Sequence, residues 1–96
     1  MIELQEQIRA FNDARNWQSY HSPRLLAGKI AIEAAELLEC FEWDNRINPF
    51  DQTAAEMELA DVLICCLSMA NALGIDAAQI VERKLKRNAE KYPPSA

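Results

Sequence analysis

Apolar residues recur along most of the chain at the three- and four-residue spacing of amphipathic helices, and turn-forming residues cut that pattern into four segments. In the first, Leu4, Ile8 and Phe11 stand at i, i+4 and i+7, and the pattern dissolves between Asn12 and Asn16. This predicts a short helix of about three turns. A loop from Asn16 to His21 follows, carrying Trp17, Tyr20 and the single histidine. Ser22-Pro23 has the form of an N-cap with proline at the first helical position, so a second helix is expected to start there and run to about Glu42. Asp44 to Asp51, with Asn45, Asn48 and Pro49, is a turn-forming stretch. Thr53-Ala54-Ala55-Glu56 has capping-box spacing, so a third helix begins near Thr53 at the latest and continues to Leu73. Gly74 is placed to end it in the left-handed conformation. Asp76, with Gln79 three residues on, caps a fourth helix that reaches about Lys91 before Pro93-Pro94.

Two glycines and seven aromatic residues are too few for an all-β domain, which needs turns at short intervals. The expected class is therefore all-α, a single domain over residues 1–96, and the short connections favour an antiparallel four-helix bundle-like protomer. A domain this small buries only about 60 to 65% of its unfolded surface, so association into an oligomer is a natural way to enlarge the core. Cys40, Cys65 and Cys66 are an odd number without C-x-x-C spacing and read as free thiols in a reducing cytoplasm. The chain starts without a basic-then-apolar leader, and its longest apolar run, Val62 to Leu67, is far below the ~20 residues of a membrane span. Neither export nor membrane insertion is expected.

The second and third helices carry carboxylates where the apolar pattern calls for something else. On the second, the stripe Leu26, Ile30, Leu37, Phe41 is interrupted by Glu33, with Glu36 flanking the same edge and Glu39 and Glu42 drifting towards solvent. On the third, the run from Leu59 to Ala70 is apolar on nearly every side and is expected to be buried on most of its circumference, with Asp61 inside it and Glu58 one turn earlier. A buried carboxylate without a partner costs several kcal/mol or takes up a proton. Arg24 and Lys29 lie upstream of Glu33, and the third helix has no basic residue at all. Glu33, Glu36, Glu58 and Asp61, as two E-x-x-[ED] pairs on helices able to pack antiparallel, make a hard-oxygen cage suited to Mg²⁺ or Mn²⁺. The competing arrangement leaves Glu36 and Glu58 as solvated surface groups and Asp61 as a lone buried acid bonded to backbone. A di-iron bundle calls for Glu-x-x-His motifs, and His21 does not stand three residues after any glutamate. Zinc finds no cysteine pair at ligand spacing.

Half of the ten basic residues, Arg83, Lys84, Lys86, Arg87 and Lys91, crowd the end of the fourth helix. Such cations complement the helix dipole, but Lys84, Arg87, Asn88 and Lys91 also share one face and can present several donors to an anion. Trp17, Tyr20 and His21 before the second helix, and Phe41 and Trp43 at its end, offer aromatic faces for a base, a core lid or a subunit contact. A cation cage, an anion-binding face and aromatic platforms in one domain together suggest a metal-chelated nucleoside polyphosphate.

Four segments, R-N-W-Q-S-Y-H-S-P-R (15–24), I-E-A-A-E-L-L-E-C-F-E-W (32–43), E-L-A-D-V-L-I (58–64) and K-L-K-R-N-A-E-K-Y-P (84–93), closely resemble the MazG-like all-α nucleoside triphosphate pyrophosphohydrolases, in particular their dCTP-pyrophosphatase-like branch. The resemblance runs over almost the whole chain. It implies hydrolysis of a (deoxy)nucleoside triphosphate, of pyrimidine or modified type, to the monophosphate and pyrophosphate, in nucleotide-pool housecleaning. It also implies Mg²⁺ on Glu33, Glu36, Glu58 and Asp61, phosphate binding by Lys84, Arg87, Asn88 and Lys91, and a base pocket that includes Trp17, His21 and Trp43. Glu36 or Glu39 is the candidate to orient the attacking water as general base. The resemblance further implies a homodimer or a homotetramer built as a dimer of dimers, with sites between subunits. Two departures, Cys65 where relatives often carry tyrosine and Leu25 in place of an asparagine, bear on the base rather than on the reaction. The alternative is a nucleotide-binding helical oligomerisation module without turnover.

The formal net charge of -5 argues against broad binding to a long nucleic acid or an anionic membrane. With the four cage residues set aside the balance is close to neutral, and a bound cation reverses their sign locally. A single metal-bound nucleotide is compatible with that pattern.

Overall fold

A computed structural model describes residues 1–42 and 50–95. Among these residues all regular structure is helical: α1 (Ile2–Ala14), a 3₁₀ turn (Gln18–Tyr20), α2 (Pro23–Glu39), α3 (Gln52–Leu73) and α4 (Ala77–Lys91). The all-α class and the four helices follow the sequence pattern.

Local chemistry sets most boundaries. Ser22 caps α2 by accepting the Leu25 N–H at 3.3 Å, with Pro23 at its first position. The helix stops at Glu39 rather than Glu42, because the Cys40, Phe41 and Glu42 N–H groups turn back to carbonyls three residues earlier and tighten the last turn. Asp51, not Thr53, caps α3, accepting the Ala54 N–H at 3.1 Å. At the other end Gly74 takes φ 67°, and the Ile75 N–H reaches the Ala70 carbonyl at 3.0 Å. That closes the helix in the manner only a residue free of a Cβ adopts cheaply.

The long helix α3 is the centre of the fold. α2 packs along it, and α1 lies across its C-terminal half. Ile8, Leu67, Ala70 and Ala77 form the buried cluster, with Ile75 packed against it, while Leu26 is fully buried from the α2 side. A buried polar pair, the Asn12 amide donating to Ser68 Oγ at 3.3 Å, ties α1 to α3.

The packing departs from an antiparallel bundle in one respect. After the three-residue turn Gly74–Asp76, α4 leaves α3 at 98° instead of folding back on it. The radius of gyration is accordingly 16.4 Å, against about 12 Å for a compact chain of this length. This corrects the expectation that α3 is buried all round: Leu59, Leu63 and Ile64 are 47%, 49% and 45% exposed, and Asp61 faces solvent. Leu63 and Ile64 line an open apolar groove with Leu4, Ile8 and Phe11 of α1. No single described helix is long and apolar enough to cross a membrane.

Candidate functional site

Glu33 and Glu36 stand one turn apart on α2, and Glu58 faces them from the first half of α3. One oxygen from each of the three lies within 4.8 Å of the others. Glu33 and Glu58 are half-buried, and an oxygen of each, Oε2 in both, is buried without a hydrogen-bond partner among the described residues. Buried acceptors are nearly always satisfied, so these two orphaned carboxylate oxygens call for a donor or a cation.

The electrostatics point the same way. Burial pushes the Glu33 carboxyl above its ordinary range, and the adjoining Glu36 and the charge of Asp61 push it further, against a partial offset from Lys29. Glu58 is likewise raised by burial first, then by the negative charges of Glu36 and Asp61. Both shifts favour the neutral form of these two carboxyls over the charged one. Asp61 lies outside the 4.8 Å set but close enough to act on both residues. Glu39 is exposed, and its charge reaches Glu58. The Cys40 thiol is pushed up by burial and by Glu58 and Glu39, so it stays a neutral neighbour rather than a soft ligand. All three cysteines are free.

A second feature adjoins the first. Trp17 packs edge-on against Phe11 at 5.7 Å between centroids, and His21 lies tilted 6.4 Å from Trp17. Together with Asn12, Leu26, Lys29, Ile64, Cys65 and Ser68 these rings enclose a slot of about 60 Å³. Lys29 and Cys65 join slot to cluster: Lys29 holds the His21 imidazole low, after burial, and acts on both Cys65 and Glu33. Trp17 and His21 are thus brought together, whereas Trp43 lies outside the described residues. Lys29, Asn12 and Ser68 were not singled out by spacing. Lys29 is the one that sequence offered a hint of, four residues ahead of Glu33 on the same helical face.

The cationic residues form a third region. Lys84, Arg87, Asn88 and Lys91, with Glu90, line a shallow cleft of about 390 Å³ on α4. The structure gathers them on one face but does not bring that face to the carboxylates of the same chain, because α4 projects away from α2 and α3.

Comparison with known proteins follows the same outline. The MazG-like family model matches residues 29–96, a span that holds all three clustered glutamates and the whole of α4. The chain belongs to the MazG-like family. Within it, similarity falls on the dCTP-pyrophosphatase-like branch: dCTP pyrophosphatase 1 of Mus musculus is 33% identical over 90 residues, covering 86% of this chain and 53% of the relative. The Homo sapiens protein of the same name is 31% identical over the same extent. The chain therefore spans about half the length of the curated relatives it matches. Among solved structures, a pyrophosphatase from Archaeoglobus fulgidus superimposes with a TM-score of 0.87 at 40% identity, covering 98% of this chain and 93% of that one. That superposition takes in α1, which the matched family span, beginning at residue 29, does not include.

Proposed function

We propose that this MazG-like chain hydrolyses (deoxy)nucleoside triphosphates, of pyrimidine or modified type, to the monophosphate and pyrophosphate. The observation that carries the reading is the convergence of Glu33, Glu36 and Glu58 with two buried oxygens left without partners. Mg²⁺, or Mn²⁺ in the same oxygen set, fits such a group of hard anionic donors. Asp61, one turn beyond Glu58, supplies the fourth carboxylate. The names of the similar proteins, dCTP pyrophosphatase 1 and a pyrophosphatase, support the substrate class and the bond broken.

The bound ion would neutralise phosphate charge and help acidify a water, which is most of what phosphoryl transfer requires. The protein's own groups do the rest. Glu36 or Glu39, both exposed on α2, would orient a water and take its proton. Trp17 and His21 offer stacking surface at the mouth of the slot, with the base lying on the rings, since about 60 Å³ admits only a substituent or an edge. Lys84, Arg87, Asn88 and Lys91 receive the phosphates. In a homodimer or a dimer of dimers, the half-exposed Leu59, Leu63 and Ile64 of one copy would be covered by another, and the α4 face of a second copy could meet the carboxylates.

The deciding experiment is pyrophosphate release from a panel of canonical and modified nucleoside triphosphates with and without Mg²⁺. The expected result is stoichiometric monophosphate and pyrophosphate from a pyrimidine or modified deoxynucleotide, only with metal. Tight triphosphate binding without product after prolonged incubation at high protein concentration would instead assign a nucleotide-binding module.

A further inference from the structure

Little besides its first turn holds α4 to the rest of the protomer: Ala77 sits in the buried cluster with Ile8, Leu67 and Ala70, while Val81, Leu85 and Tyr92 are exposed. The direction of the helix is therefore decided at the α3–α4 turn. Gly74 alone would leave that turn permissive. A side chain remote in sequence closes it.

That side chain is Gln5 of α1, only 2% exposed. Its amide nitrogen donates to Asn71 Oδ1 and to the Ile75 carbonyl, both at 3.0 Å, and its Oε1 accepts the Ala77 N–H at 2.9 Å. The Asn71 amide returns a hydrogen bond to the Gln5 carbonyl at 3.0 Å. Asp76 Oδ1 takes the Ala78 and Gln79 N–H groups, and the Asp76 carbonyl takes that of Ile80. Gln5 thus supplies the one acceptor that Asp76 does not, and the first four N–H groups of α4 are all satisfied. The interior of this protomer holds few buried polar side chains, and this one is spent wholly on the joint between two helices.

We propose that Gln5 is a positioning residue: it locks the α3–α4 joint and so sets where the Lys84, Arg87, Asn88 and Lys91 face stands relative to the carboxylates that share its substrate. The proposal rests on the function inferred above. α4 has 15 residues, a lever of about 20 Å at ~1.5 Å per residue. A tilt of about 10° at the joint moves its far end by roughly 4 Å, enough to separate a cation from a phosphate oxygen. A displacement of that size loosens the hold on the phosphates, and so weakens substrate binding.

Gln5→Met keeps the length and bulk of the side chain and removes its three hydrogen bonds; Asn71→Ala loosens the same joint from the other side and serves if the first variant does not fold. Two readouts are needed. Amide hydrogen exchange by mass spectrometry should quicken about tenfold or more in α4 while α2 and α3 stay protected, with the Mg²⁺-induced rise in melting temperature retained. Steady-state kinetics should show KM for the triphosphate rising about tenfold with kcat within about twofold. Unchanged α4 exchange, exchange that quickens equally in every helix, or loosened α4 with an unchanged KM would each overturn the proposal. If the unaltered protein releases no pyrophosphate, the functional reading fails on that result alone, and triphosphate affinity replaces KM as the measure of the joint.

Discussion

The α2–α3 cleft and the outer face of α4 carry opposite charge and hold it by opposite means. In the cleft, Glu33, Glu36 and Glu58 are forced within 4.8 Å of one another, two of them half-buried and raised above the usual glutamate range. On α4, the cations stand apart from the core on a helix with an open surface. Like charges packed together cost stability, whereas the exposed cations of α4 repel one another only weakly and Lys91, in the last turn, gains a little from the dipole. A feature that the fold retains at a cost is the more informative about function.

The sharpest way to break this contrast is to neutralise one side of it. Glu58→Gln should lower Mg²⁺-dependent pyrophosphate release by about a thousandfold or more, the scale of losing a metal-centred step. The same change should raise the melting temperature of the metal-free protein, because it removes a repelling carboxylate. Retained turnover would remove Glu58 from the site, and a lower melting temperature would show that the cluster is not strained.

On the other side, Arg87→Ala should raise KM with little change in melting temperature, since the residue is exposed on a helix that packs little. A charge-assisted hydrogen bond is worth ~1.5 to 3 kcal/mol, or roughly 10- to 150-fold in affinity. Equal losses in kcat and in kcat/KM would instead give Arg87 a role confined to the transition state.

The smallest effect is a pH dependence. Glu33 and Glu58 have folded values raised above the ordinary glutamate value of 4.5, so the native state binds more protons than the unfolded chain in the interval above that value. Stability of the metal-free protein should therefore fall as pH rises through this window and level off once both groups are ionised. Saturating Mg²⁺ should abolish the fall, because a cation then takes the place of the protons. Melting curves from about pH 4 to 8, with and without the ion, read this directly, and identical slopes in the two series would count against the cage.

Residue spacing alone placed Glu33 on the inner stripe of α2 and grouped Lys84, Arg87, Asn88 and Lys91 on one face, since helical periodicity is a local property. Caps at Ser22, Asp76 and Gly74 were legible for the same reason. The burial of α3 was misjudged because its apolar run cannot say which neighbour covers it. Leu59, Leu63 and Ile64 are half-exposed, the last two along an open groove beside α1, and Asp61 is exposed with them. Lys29 and Cys65, which join the aromatic slot to the carboxylates, stand 36 positions apart in the chain and meet only when α2 lies along α3.

The sequence by itself determined the class, the four helices and the chemical character of each face, because these depend on side chains a turn or less apart. The tertiary structure decided the rest: which three carboxylates converge, that two of their oxygens lack partners, and that Gln5 reaches 72 residues along the chain to the first N–H of α4. Periodicity fixes direction around a helix axis but carries no term for the angle between axes. Here that angle is 98°, set by a few hydrogen bonds at one turn, and it separates the cationic face from the carboxylates within the chain.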